Sequence, residues 1–156
     1  MSPAFSQRNI YFQRNMKLIL ATLIKEEVVD LTGKDLGDGD IVILTNVPKR
    51  SKVLKQLRLS NSQLTLAKGK EFGKALAGNH TLEHLWLRNN QIGNAVARML
   101  ANALRKNRAL RSVLITGNKI GHDGSTILGD ALGDNKTLKS IFLNKNRINF
   151  DLFARK

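Results

Sequence analysis

The chain has 156 residues, a length that suits one domain. It carries 26 Lys and Arg against 12 Asp and Glu, for a formal charge of +14, and it has no cysteine. The missing cysteines exclude a disulfide framework and any thiolate metal site, and they fit a reducing, intracellular setting. No stretch reaches the ~20 apolar residues that a membrane span needs.

The first 25 residues contain no acid and carry Arg8, Arg14, Lys17 and Lys25. Phe12, Met16, Ile19, Leu20 and Leu23 make an apolar helical stripe in this segment. We expect residues 10–25 to form an amphipathic helix that caps the first strand. The same composition also describes an organellar transit peptide, so that import route stays open. No small-residue cleavage site follows the apolar run, which argues against a secretory signal.

Residues 26–53 read as a degenerate repeat. Val28-Val-Asp-Leu31 predicts a strand, and Gly37-Asp38-Gly39-Asp40 a strand-to-helix loop rather than a calcium loop, which would need a closing Glu. Pro48 is expected to end the helix of this unit early. This segment holds six acids against four bases.

From residue 54 the pattern becomes strict. Leu54, Leu82, Leu110 and Leu138 recur every 28 residues, each opening the phrase L-x-x-L-x-L or a close variant. Three copies continue into Asn90 and Ile92, Asn118 and Ile120, Asn146 and Ile148. Each full unit, 54–81, 82–109 and 110–137, ends in a helical pattern: Phe72, Ala75, Leu76; then Leu100, Ala103, Leu104; then Leu128, Ala131, Leu132. Asn79, Asn107 and Asn135 close those helices, where a left-handed turn is expected. Residues 138–156 form a partial repeat in which Phe150, Leu152 and Phe153 are expected to cover the open end.

The phrase L-x-x-L-x-L-x-x-N-x-I, held in register over residues 53–150, resembles the leucine-rich repeat. The long period and true helix resemble the ribonuclease-inhibitor-like subfamily, with the repeats of NOD-like receptors and of the Ran GTPase activator. That resemblance implies an α/β solenoid, a short right-handed horseshoe with a parallel sheet on its concave face and helices on its convex face. About five strands and five helices are expected.

If the leucines point inward, alternation along each strand turns the intervening residues outward, in three columns. One holds Gln56, His84, Ser112 and Ser140; the second Asp30, Arg58, Trp86, Leu114 and Phe142; the third Thr32, Ser60, Arg88, Thr116 and Asn144. Trp86, Leu114 and Phe142 should form one apolar stripe flanked by Arg58 and Arg88. The only tryptophan of the chain thus falls where the core pattern does not ask for one. Trp and Arg dominate binding hot spots. The candidate protein-binding face is therefore Arg58, His84, Trp86, Arg88, Leu114, Phe142 and Asn144.

Residues 54–109 hold ten bases against two acids. Lys68, Lys70, Lys74, Arg98, Arg105, Lys106 and Arg108 fall on or beside helices and form a candidate polyanion-binding set. They point to an acidic partner, or to RNA in a ribonucleoprotein such as a ribosome-associated complex. Against RNA, aromatics are few and no nucleic-acid motif is present.

Other features carry no chemistry. Asn90, Asn118 and Asn146 are expected to satisfy backbone groups in the turn leaving each strand. His80, His84 and His122 share no ligand spacing, Gly33-Lys34 does not complete a phosphate loop, and no nucleophile sits with a base. No cofactor, metal or enzymatic activity is expected. The leading expectation is a protein-binding scaffold, ahead of a ribonucleoprotein subunit and a GTPase-regulating surface.

Overall fold

The computed structural model describes residues 21, 23–34, 41–63 and 66–148, the side chains of 41–45 and 66–71 excepted. The expected capping helix, the Gly37–Asp40 loop and the closing Phe150, Leu152 and Phe153 lie wholly or mostly outside these residues.

Among the described residues, five three-residue strands alternate with four helices. In chain order they are β1 (Val28–Asp30), α1 (Ile41–Arg50), β2 (Gln56–Arg58), α2 (Leu66–Ala77), β3 (His84–Trp86), α3 (Gly93–Lys106), β4 (Ser112–Leu114), α4 (His122–Asp134) and β5 (Ser140–Phe142). The strands form one parallel sheet in sequence order. Each residue pairs with the one 28 further on: Asp30 with Arg58, Arg58 with Trp86, Trp86 with Leu114, Leu114 with Phe142. The sequence period is thus the register of the sheet. Each helix packs on the next, α1 on α2, α2 on α3 and α3 on α4.

The core is built from the repeated apolar positions. Leu57, Leu85 and Val113 at the strand centres are buried, with Leu54, Leu82 and Leu110 before them and Leu59, Leu87 and Ile115 after. Phe72, Leu76, Leu100, Leu104 and Leu128 meet them from the helices. Burial falls off at the β5 end, where Leu138, Ile141 and Leu143 are only half-buried.

Two asparagine ladders run through the stack. In the first, Asn90 Nδ2 donates to the carbonyls of Leu59 (2.8 Å) and Leu87 (2.9 Å), while the backbone N–H of Ser62 donates to its Oδ1. Asn118 and Asn146 repeat the arrangement one and two units on. Each asparagine therefore binds its own turn and the neighbouring one.

The second ladder corrects an expectation. Asn107 and Asn135 end their helices in extended backbone, with φ of −70° and −88°, not in a left-handed turn. The side chain instead bonds the turn that follows it and the helix end of the preceding unit. Asn107 Oδ1 accepts the N–H groups of Ala109 and Leu110, and its Nδ2 donates to the carbonyls of Leu76 and Asn79. Asn135 repeats both pairs of bonds, and Asn79 accepts the Thr81 and Leu82 N–H groups and donates to the Pro48 carbonyl. Left-handed residues recur instead in the turn after each strand, at Gly33, Asn61, Asn89, Gly117 and Lys145, again 28 apart, and Gln63, Gly93 and Lys119 are left-handed as well.

Pro48 is a second correction. It stands inside α1, which continues to Arg50. A proline so near the C-terminus removes only its own N–H, and its carbonyl accepts a bond from Asn79 Nδ2 in the next unit.

Candidate functional site

The sheet has one face turned to the helices and one turned away. The side chains on either side of each buried strand centre lie on the second face, because successive side chains alternate. The central column there is Asp30, Arg58, Trp86, Leu114 and Phe142, one residue from each strand. Neighbouring strands are ~4.8 Å apart, so successive side chains in the column are within contact range.

The column changes character along its length. At one end Arg58 Nη1 lies 3.1 Å from Asp30 Oδ2, and Arg58 Nε and Nη2 donate to Gln56 Oε1 at 3.1 and 2.7 Å. The guanidinium sits over the Trp86 ring, 4.4 Å from its centre. Beyond Trp86 come Leu114, half-buried, and Phe142, which is 47% exposed. Charge thus closes on itself at β1–β2, while β3–β5 present apolar surface.

Asp30 is held below the usual aspartate range. The main cause is the N–H of Thr32, which donates to Asp30 Oδ1 at 3.0 Å, with the Arg58 contact adding to it.

The flanking columns differ. His84, Ser112 and Ser140 are half-buried on one side, with Ser140 Oγ 3.1 Å from Ser112 Oγ. On the other side Arg88 and Asn144 are exposed, and Thr116 is half-buried. Ser60 departs from that column: it is buried, and its carbonyl accepts the Gly33 N–H. These residues sit in the turn after the strand, where the left-handed step at Asn61, Asn89 and Lys145 redirects the chain. Strand alternation therefore no longer governs which way the third column points.

Of the seven expected face residues, Arg58, His84, Trp86, Leu114 and Phe142 flank buried strand centres on this side of the sheet, while Arg88 and Asn144 lie exposed in the turns that follow β3 and β5. Arg58 lies beside Trp86 as expected, and its guanidinium is also bonded to Asp30 and Gln56.

A charged row ahead of the strands escaped the sequence reading. Lys55 Nζ lies 2.9 Å from Glu83 Oε1, and Arg111 Nε 3.4 Å from Glu83 Oε2. These residues too are 28 apart, and that spacing was the signal. The Lys55 contact holds the Glu83 carboxyl below its usual range.

The candidate polyanion-binding set is spread over the helices. Lys74 lies exposed on α2, Arg98, Arg105 and Lys106 lie on α3, and Arg108 follows α3. Arg105 contacts Asp134 on α4 at 3.4 Å. Lys68 and Lys70 belong to α2, with side chains outside the described residues. Among the described residues no cluster of His, Cys, Asp or Glu could hold a metal ion, and no helix is long and apolar enough to cross a membrane.

The parallel five-stranded sheet with its four helices and 28-residue register defines a leucine-rich-repeat-like α/β fold. Among solved structures the chain is similar to leiomodin-1 actin-binding site 2 (ABS2), with 19% identity, a TM-score of 0.76, and coverage of 92% of this chain and 82% of that one. At that identity the likeness is one of fold. No protein-family model matches the chain, and no curated protein sequence matches it.

Proposed function

We propose that the chain is a non-enzymatic protein-binding scaffold that engages its partner through the sheet face opposite the helices. In this reading the repeats form a short right-handed horseshoe of the ribonuclease-inhibitor-like type, and the docking face is its concave side. The observation that carries the proposal is the alignment of Trp86, Leu114 and Phe142 in one register column.

Three physical points support it. Large apolar side chains on an exposed face mark interaction sites. The scaffold beneath them is fixed by backbone pairing and the asparagine ladders, so little ordering entropy is lost on binding. The net charge of +14 favours a partner with acidic surface around the contact. That a similar fold bears the name of an actin-binding site agrees with a protein partner.

The test is capture from native lysate at ~50 and ~300 mM salt, with wild type beside Trp86→Ala. A protein partner held at high salt and lost with the substitution supports the proposal, the loss amounting to ~2 kcal/mol or more. Capture of RNA or ribosomes, lost at high salt and indifferent to Trp86, overturns it in favour of the basic surface.

A further inference from the structure

The helical layer carries a groove between α2 and α3, with a volume of about 500 Å³. Its floor is apolar, built from Gly73, Ala77, Met99 and Ala103, and its rim is basic, built from Lys74, Arg105 and Lys106. Gly73 sets the floor level: a Cβ there would come within 3.3 Å of the Met99 carbonyl oxygen.

The repeat supplies an internal comparison. One unit on, the positions of Asn102 and Lys106 are taken by Asp130 and Asp134. At the α3–α4 crossing Arg105 and Asp134 are joined in an ion pair. Helix α4 contains three acids and no Lys or Arg, whereas α3 contains three bases and no acid. Basic charge beside an apolar floor at α2–α3 is thus not repeated at α3–α4.

The geometry points to this groove as a second docking site, separate from the sheet face, for an acidic peptide segment bearing aliphatic side chains. Even with Arg105 paired to Asp134 the rim keeps an excess of positive charge that complements carboxylates, and the floor rewards burial of an aliphatic side chain. A nucleic acid fits less well. Grooves that hold single strands combine cations with aromatic side chains on which bases stack, and among the described residues no aromatic lines this one.

The experiment is fluorescence anisotropy on the full chain with a dye-labelled synthetic peptide of alternating glutamate and leucine, beside labelled oligouridine. Saturable peptide binding is expected, weakened about tenfold or more by the double variant Lys74→Glu, Lys106→Glu and unchanged by Trp86→Ala. The single variant Lys106→Ala, at an exposed site, should weaken binding in the same direction and covers the case of a misfolded double variant. Absence of peptide binding, or equal binding by the charge variants, overturns the assignment. Loss of binding in Trp86→Ala overturns it too, by moving the peptide to the sheet face. Tighter binding of oligouridine with a steep salt dependence identifies a nucleic-acid site instead. A concentration-dependent mass in sedimentation, abolished by Lys106→Ala, identifies the occupant as the acidic α4 of a second copy and overturns the external peptide. Failure here leaves the sheet-face proposal intact, because that one turns on Trp86 alone.

Discussion

The guanidinium of Arg58 lies 4.4 Å from the centre of the Trp86 ring, and the same guanidinium is tied to Asp30 and Gln56. A flexible charged side chain is thereby fixed from three sides and holds the indole in place. Trp86 is the only tryptophan, so its fluorescence reports on this face alone. Arg58→Ala should shift the emission to longer wavelength, as the ring loses its cover. Arg58→Lys should restore part of the shift but not all, because an ammonium cannot stack as a planar guanidinium does. An unchanged spectrum in Arg58→Ala would show that the contact does not order the ring.

The buried asparagines set the second prediction. Asn118 Oδ1 is the acceptor for the Asn90 N–H, and its Nδ2 donates to the Leu87 and Ile115 carbonyls. Asn118→Ala leaves that buried amide without an acceptor and should cost about 2–4 kcal/mol in chemical denaturation. Asn118→Asp should do no better at neutral pH. It keeps an acceptor but turns a carboxylate on two carbonyl oxygens, and its deficit should shrink as pH falls and the acid protonates.

The glycines of α4 separate sterics from propensity. At Gly124 a Cβ would lie 2.8 Å from Ile120 Cγ2 and 3.2 Å from Ala97 Cβ. At Gly129 nothing lies within 4 Å. Gly129→Ala should raise stability by about 0.5–1 kcal/mol through helix propensity. Gly124→Ala gains the same propensity but should lose about 1–3 kcal/mol net to overpacking. Thermal melts of the two variants should therefore move in opposite directions.

Asp30 gives the pH dependence. Its carboxyl is held below the usual range by the Thr32 N–H and then by Arg58. A lowered folded value means the folded state favours the ionised form. The resulting stability is present above the ordinary aspartate value of about 4 and is lost as pH falls from there through the lowered folded value. Asp30→Asn should flatten the melting temperature in that window. Because Asp30 is exposed, the effect is small, and identical acid profiles for the variant and wild type would remove Asp30 as its source.

Much of the fold was legible in the sequence. Leu54, Leu82, Leu110 and Leu138 mark the period, and a fixed period in a strand-and-helix unit dictates a parallel sheet with register equal to that period. The outward column through Trp86 came from alternation alone. The third column was only partly legible: its residues stand in the turn beside a left-handed residue, outside strand alternation, and Ser60 alone among them is buried. The closing asparagines are legible as helix ends, but a propensity for left-handed turns cannot reveal that each side chain bonds the helix end of the preceding unit.

What the sequence by itself determined is the repeat: which positions are buried, how strands pair, and which residues stand in one column. These depend on local patterns copied every 28 residues, so a linear reading recovers them. What only the tertiary structure decided is how side chains from different repeats pair once stacked. Arg58 turns to Asp30 and Trp86, Asn79 reaches the Pro48 carbonyl, and Lys74 and Lys106 come to border one groove. Those pairings depend on side-chain rotamers and helix separation, which composition and period leave free.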